Sequence, residues 1–339
     1  MKKYYYDGDV IRWRSLEDNK DYCIHIKQDS NPLDPRADDD GIFTKMACFV
    51  RGYSIGDKVS GSAEEYWQSL VREHLTEKEI IDAVKAGKIK GIRIAANEEN
   101  SSLVDIYETY VNRTIFGDTE PHETLEYEGV AEDSAIYYIQ DDLTIKHCMT
   151  LLSDIATWLP IWYYDHGGIS ITCGSRTGQY ADKWDSGQAG WIICFKEDMM
   201  KQCDTEYVLD ENGERIKVEH KHENAPSTYS YMTRPLTDET WVRRAQEMML
   251  EEVEVYDQYL SGEVYGFTMY ENVAEEGDEP EWEETDNSTW GFYGNDIMEN
   301  GIYGEVGYGF EKAVDEDRCI EGTAEDRSYM VSVTEFCFT

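Results

Sequence analysis

Four residues in the middle of the chain have the side-chain types of a hydrolytic site. Asp165 and His166 follow one apolar run, and Asp185 and Ser186 precede the next. A carboxylate beside a histidine can orient it as a general base, and a serine on a glycine-flanked turn can be the nucleophile that this base activates. Both pairs are predicted at strand ends of one sheet, so the sequence allows them to converge.

Other features of the same stretch favour a structural role. Ser186 precedes Gly187 but lacks the G-x-S-x-G turn of the α/β-hydrolases, and no oxyanion-stabilising group is recognisable. Asp185 can equally cap a turn, and Gln188 can satisfy backbone groups beside Gly187. An enzyme or ligand-binding site is therefore our second hypothesis. Its residues are Asp165, His166, Asp185, Ser186 and Gln188. Trp184 and Gln188 are also predicted binding residues.

Metal and cofactor sites have weak signals. Asp38, Asp39 and Asp40 lie in a proline-bounded loop and can hold a hard cation, but a solvated loop is the better explanation of them. The pair His220 and His222 needs further zinc ligands from elsewhere. No phosphate-binding P-loop motif occurs, so we predict no cofactor.

Strands and helices must position these groups. The apolar runs Ile161–Tyr164 and Ile169–Thr172 flank Gly167-Gly168, which predicts a hairpin, and Ala189–Phe195 is a third strand. Because strands and helices mix without regular alternation, we predict an α+β fold, a mostly antiparallel mixed sheet with flanking helices. We treat residues 1–339 as one continuous unit with its core around 162–195. A possible sub-boundary lies near 235, before an acidic C-terminal part at 236–339.

Several helices have readable ends. Capping boxes begin helices after Ser62 and Thr76, and the apolar spacing from Asp238 to Leu260 predicts a long helix. Residues 145–158 suit a helix ended by Pro160. The acidic tract from Glu271 to Asp286 is predicted to be a solvated loop.

The charge is extreme. The 339 residues have a formal net charge of −40, and from Gln246 onwards there are 26 acidic and three basic residues. Such a chain repels nucleic-acid phosphates and anionic lipids, so we expect no direct nucleic-acid or membrane binding. The charge can confer solubility, bind cations, or present a surface that competes with DNA for a basic protein.

The cysteines and the chain start bear on the compartment. Eight cysteines occur without a C-x-x-C pair, several inside apolar runs, which is typical of reduced buried thiols. The start has no apolar signal-peptide segment, and no run of about 18 apolar residues occurs. We therefore expect a reduced, soluble protein of the cytoplasm.

Three blocks of unusual residue types follow one another along most of the chain. The first block is Asp29–Pro32, Asp34–Arg36, Asp40, Met46–Cys48 and Arg51–Asp57. The second is Tyr164–Ile171 with Trp184–Gly190, and the third is Tyr256–Phe267 with Ser288 and Trp290–Gly294. Together the blocks resemble a family of uncharacterised proteins common in bacteriophages, plasmids and integrated elements. The chain departs from the family pattern at Leu33 and in an acidic insert near 271–286. The resemblance implies a mobile-element origin, a bacterial host cell and one continuous unit, and it implies no mechanism.

Charge and resemblance together favour a non-enzymatic accessory protein. Carboxylates on a rigid surface can mimic phosphates and occupy a basic DNA-binding groove. The expected partner is a basic host protein, such as a nuclease or a restriction or other defence factor, and the oligomeric state is left open. We predict Glu247, Glu252 and Asp257 on the outer side of the long helix. The predicted binding residues are Glu251, Glu254, Glu281, Glu283 and Glu284.

Overall fold

The computed structural model describes residues 4–37, 42–110, 113–114, 117–118, 121–182, 184–220, 228–275 and 278–322. Helices and mostly antiparallel sheets are both well represented in it, which confirms the predicted α+β class. No helix in this described part of the chain is long and apolar enough to span a membrane.

The elements follow one another without a regular repeat. The helices are α1 Ala63–His74, α2 Glu77–Lys85, α3 Ile136–Ile139, α4 Ile145–Leu152, α5 Lys196–Gln202, α6 Trp241–Ser261, α7 Ile302–Glu305 and α8 Phe310–Asp315. The first nine strands are β1 Val10–Arg14, β2 Asp21–Gln28, β3 Thr44–Cys48, β4 Ile92–Ala96, β5 Leu103–Tyr110, β6 Arg113–Thr114, β7 Gly117–Asp118, β8 His122–Ala131 and β9 Ala156–Asp165. The others are β10 Ile169–Cys173, β11 Ser186–Phe195, β12 Thr205–Tyr207, β13 Lys217–His220, β14 Thr228–Tyr231, β15 Thr233–Pro235, β16 Val264–Asn272, β17 Trp282–Tyr293 and β18 Ile320–Glu321.

The chain divides into two compact units. The first unit comprises Met1–Ile42, Trp162–Gly187 and Leu250–Thr339, and the second comprises Phe43–Ile161 and Gln188–Met249. A single functional unit over 1–339, with a sub-boundary near 235, stays a prediction.

The first unit is built on a five-stranded sheet in the order β17-β16-β2-β1-β18. The two inner strands β2 and β16 are apolar at successive positions, so they are buried on both faces, with Ile24 and Phe267 fully enclosed. Residues of α7 and α8 complete one core against this sheet. The Trp13 ring meets Phe310 at 4.9 Å between centroids, and its Nε1 donates to the Tyr308 carbonyl at 3.0 Å.

The second unit encloses the larger apolar cluster. Helices α1, α2 and α4 and the strands β4 and β5 contribute to it, and both predicted capping boxes are present at Ser62 and Thr76. Trp67 is fully buried, with its ring 5.5 Å from that of Trp158 and 5.8 Å from that of Trp191. Strands β11 and β3 pair antiparallel at the side of this cluster.

Two secondary-structure predictions are wrong. The helix predicted over 145–158 ends at Leu152, and Pro160 lies inside strand β9. The tract from Glu271 to Asp286 is not one loop, because β16 extends to Asn272 and β17 begins at Trp282. The Trp282 indole is buried against Val10, Cys23 and Tyr270. This burial stabilises the acidic residues that follow Trp282 as part of strand β17.

Candidate functional site

The predicted pairs Asp165-His166 and Asp185-Ser186 lie next to each other. The backbone N–H of Asp165 donates to the Asp185 carbonyl at 2.8 Å, which joins the end of β9 to the residue before β11. His166 Nδ1 then lies 3.3 Å from Asp185 Oδ2, while the His166 side chain remains 72% exposed. The histidine therefore pairs with Asp185 on the surface.

Ser186 serves a different purpose from the one a hydrolase requires. Its hydroxyl donates to the carbonyls of Tyr180, at 2.9 Å, and Asp182, and it accepts from Arg176 Nη2 at 3.1 Å. Among the described residues no hydrogen bond joins Ser186 to His166. The hydroxyl therefore anchors a loop, and the geometry supplies no base to activate it.

The same loop presents an exposed aromatic side chain. Asp182 Oδ1 accepts from the backbone N–H groups of Trp184 at 2.6 Å and Asp185 at 3.1 Å, and these bonds lower the pKa of Asp182. The Trp184 residue above this turn is 92% exposed. The sequence did not single out Asp182, although a carboxylate two residues before the N–H that it caps is a common turn signal.

Packing accounts for other parts of the motif around Ser186. An added Cβ on Gly187 would lie 2.9 Å from the Tyr163 ring, so a larger residue there would require this ring to move. Gln188 belongs to the second unit, and its Nε2 donates to the Gly190 carbonyl at 3.3 Å. These contacts support the structural interpretation of the motif.

The predicted binding acids Glu251 and Glu254 lie on the exposed side of α6, within the first unit. They line a cavity of about 420 Å³ together with three further carboxylates. We call it the acidic cleft; its carboxylates are Glu251, Glu254, Glu263, Asp296 and Glu299.

The predicted acids of the C-terminal tract define a second concavity in the first unit. Glu283 and Glu284 of β17 line a groove of about 580 Å³ with Glu271 and Asp286. We call this the acidic groove. Glu281 lies just before β17, where its N–H donates to Asn272 Oδ1 at 3.0 Å. Lys20 forms an ion pair with Glu271.

No metal centre is apparent in the described part of the chain. There, no three His, Cys, Asp or Glu side chains are grouped so that they can hold a metal ion. Asp38, Asp39 and Asp40 lie outside the described residues, as does His222.

Two acids predicted on the outer side of α6 instead make internal contacts. Glu252 Oε2 accepts from Arg36 Nη1 at 3.0 Å, and the Arg36 side chain is only 4% exposed. Asp257 Oδ1 accepts from the backbone N–H of Ile171 in β10 at 2.7 Å. The prediction was wrong here because the helical face of these residues packs on other segments of the first unit.

One of these contacts joins two of the three blocks on which the predicted family resemblance rests. Arg36 of the first block reaches the α6 residue Glu252, and Ile171 of the second block bonds to Asp257 of the third. Tyr293 of the third block donates its hydroxyl to the Leu33 carbonyl at 2.6 Å. The block residues therefore include structural joints of the first unit.

Asp257 is a titratable group that sequence reasoning placed wrongly. Burial raises the pKa of its carboxyl to about 6, and the charges of Glu263 and Glu254 act in the same direction against the hydrogen bond from Ile171. The sequence shows that Asp257 lies in the predicted long helix, but it does not show that the side chain is buried.

We expect Asp257→Asn to stabilise the protein about twice as strongly at pH 7.5 as at pH 5. The folded-state pKa of about 6 lies above the usual 3.8, so the cost of ionising Asp257 in the native state grows as pH rises between these values and is complete above the higher one. The gain at pH 7.5 should approach about 3 kcal/mol, since the two pKa values differ by about two units and one unit corresponds to about 1.4 kcal/mol. Urea denaturation at both pH values measures it. Asp278→Asn is the matched control at an exposed acid, and an equal effect of the two changes would contradict the burial argument.

Comparison of the chain with protein-family models, with curated proteins and with solved structures found no match in any of the three. The resemblance to proteins of mobile elements therefore stays a prediction, and the function must be argued from the site itself.

Proposed function

We propose that this protein is a non-enzymatic binding protein whose acidic first unit binds a basic partner protein. The observation that carries the proposal is the position of the predicted acids. Glu251 and Glu254 lie in the acidic cleft, and Glu283 and Glu284 lie in the acidic groove. A net charge of −40 adds a long-range field that attracts a cationic partner.

The side chains in the two concavities suit such a partner. Five carboxylates line the cleft. Carboxylates held on a helix and a strand need little reordering when a guanidinium or ammonium group approaches. Binding of this kind is fast and salt-sensitive, because both depend on charge complementarity.

A finer proposal concerns the partner and the setting. We infer that the protein is encoded by a phage or plasmid and acts in the cytoplasm of the bacterial host cell. Its partner would be a nuclease, a restriction enzyme or another defence factor whose basic groove normally holds DNA. The resemblance and the charge support this reading, and it predicts that duplex DNA competes for the same partner.

The His166–Asp185 pair supports a second candidate, a surface site for a small ligand. The pair lies in the loop region that also presents the exposed Trp184. An imidazole, a carboxylate and an indole can together bind an aromatic or cationic group. The engagement of Ser186 in the loop favours binding over hydrolysis at this position.

Neutralising the predicted acids should remove partner binding. The variant replaces Glu251, Glu254, Glu281, Glu283 and Glu284 by glutamine. The wild type, immobilised and exposed to bacterial lysate, should retain a basic DNA-binding protein at low salt and release it at about 0.5 M salt, where the Debye length is about 4 Å. With the purified partner, the variant should bind at least about tenfold more weakly in calorimetry.

A charge-matched control separates the surface from the net charge. Five exposed acids of the second unit are changed to glutamine in the control, namely Glu77, Glu98, Glu99, Glu211 and Glu239. It should bind like the wild type, and so should His166→Ala. Equal weakening by both five-residue variants, or a partner indifferent to salt, would overturn the proposal. If His166→Ala alone abolished binding, the second candidate would replace it.

A further inference from the structure

Strand β17 is an edge strand of the sheet in the first unit. It is 12 residues long, and within the described residues only β16 pairs with it. The edge of a sheet presents backbone N–H and C=O groups that can accept a further strand from another chain.

The side chains of β17 give this edge a particular character. The segment contains no lysine, arginine or proline, the residues that commonly protect an edge from pairing. Between Glu284 and Trp290 exposed and partly buried residues alternate along the strand, and its register against β16 shifts between Glu284 and Ser288. We call the exposed residues on the two sides of this shift the outer row. That row consists of Glu284, Asp286, Ser288 and Trp290.

The acids select the charge of an added strand. A second copy of β17 would bring Glu284 and Asp286 against acids of its own kind, and like charges on neighbouring strands repel. A strand with lysine or arginine at alternate positions would instead place basic residues opposite these acids, with Cβ atoms about 5 Å apart, so that the opposite charges attract. The edge therefore favours a basic strand over self-association.

The pairing of β17 with β16 already contains an unfavourable contact that a cation would relieve. Glu283 lies directly opposite Glu271 in the register. Lys20 forms an ion pair with Glu271, and three further carboxylates, Glu283, Glu284 and Asp286, line the groove. Like charges at directly opposed positions reduce the stability of a sheet. A cationic group bound in the groove would reduce this repulsion between Glu283 and Glu271.

At the other end of the row, Trp290 offers an aromatic anchor. Its ring lies against the backbone of Gly266 on β16, where an added Cβ would be only 2.4 Å from Trp290 Cε3. The side chain is held on the sheet and the residue is still 45% exposed. Exposed tryptophans of this kind are frequent centres of binding energy.

We propose that the outer edge of β17 binds an extended basic segment of the partner by strand addition. The backbone bonds supply affinity, Glu284 and Asp286 select lysine or arginine at alternate positions, and Trp290 contacts an apolar residue. This inference rests on the proposed function and identifies the part of the partner that the acidic groove recognises.

The test uses a labelled peptide of about ten residues that alternates lysine and threonine. A second peptide has the same sequence but carries N-methyl groups on alternate backbone nitrogens, which blocks strand pairing and keeps the charge. The first should bind the full chain in fluorescence anisotropy and slow hydrogen exchange in the β17 segment. The N-methylated peptide should bind at least about tenfold more weakly.

Two matched double variants locate the site. Glu284→Gln with Asp286→Asn should weaken the first peptide about tenfold or more, whereas Glu98→Gln with Glu99→Gln, in the second unit, should change it less than about twofold. All four side chains are exposed, so neither pair should affect folding. Equal binding of both peptides, or equal weakening by both variants, would overturn strand addition.

The proposed function would still stand in that case if the five-residue glutamine variant lost the purified partner. It would fall separately if that variant bound the partner normally.

Discussion

Replacing Gly190 by alanine is expected to destabilise the second unit by about 3 kcal/mol or more, because the new methyl group has no room. An added Cβ would lie 1.8 Å from the Ala47 carbonyl oxygen and 2.8 Å from the Cys48 Cα atom. Both are backbone atoms of β3, which pairs with β11 at this point, and Ala47 is fully buried. A flexible side chain could move aside, but here two paired strands must separate.

Urea denaturation followed by tryptophan fluorescence measures the loss. Gly168→Ala is the matched control, since nothing lies within 4 Å of a Cβ added there and its φ is not in the left-handed region. We expect the control to unfold near the wild-type midpoint. A Gly190→Ala midpoint equal to that of the control would mean that the strands are further apart than the structure has them.

Gly190 also shows why a motif that suggests chemistry can be structural. The sequence between Trp184 and Gly190 has the polar and glycine residues of a catalytic turn. Residue types alone do not distinguish a catalytic role from a structural one. The deciding contacts come from other segments, such as Ala47 for Gly190 and Tyr163 for Gly187. They depend on strand pairing between distant parts of the chain, which one sequence does not display.

The same distinction between local and distant causes explains the success of the fold predictions. The capping boxes at Ser62 and Thr76 and the long helix α6 were predicted because their signals lie within a few turns of the chain. The sequence predicts a strand at 288–294, but it does not predict the first half of β17, because the acidic residues there are typical of a loop. What places it in a sheet is its pairing with β16 and the burial of Trp282.

The candidate site was predictable to a similar extent. The convergence of His166 with Asp185 followed from two strand ends, and the exposure of Glu251 and Glu254 followed from the helical period. The burial of Asp257 did not, because the N–H that it accepts belongs to Ile171 in β10. Helical spacing defines which residues share a face, and only the tertiary structure shows what covers that face.

Glu206→Gln is the second substitution for which we expect a large loss, about 2 kcal/mol, since it removes a buried carboxylate that accepts charged hydrogen bonds from two partly exposed arginines. The Glu206 side chain is 0% exposed. Its Oε1 accepts from Arg234 Nε at 2.7 Å, across the β12–β15 pair, and its Oε2 accepts from Arg243 of α6. One carboxylate therefore connects a strand pair to a helix within the second unit.

The pH dependence of this loss identifies its electrostatic origin. Burial by itself raises the pKa of Glu206, but the hydrogen bond from Arg234 and the charge of Arg243 outweigh it, so the folded-state pKa lies below the usual 4.5. A lowered pKa contributes stability that is present above pH 4.5 and is lost as pH falls through the folded-state value. In urea denaturation, the difference in free energy of unfolding between wild type and Glu206→Gln should be constant near neutral pH and decrease below pH 4.5.

Glu197→Gln, which removes an exposed partner of Lys201, is the control and should leave the midpoint unchanged at every pH. A gap for Glu206→Gln that stayed constant into acid would assign its effect to packing, because the volume of the side chain does not titrate.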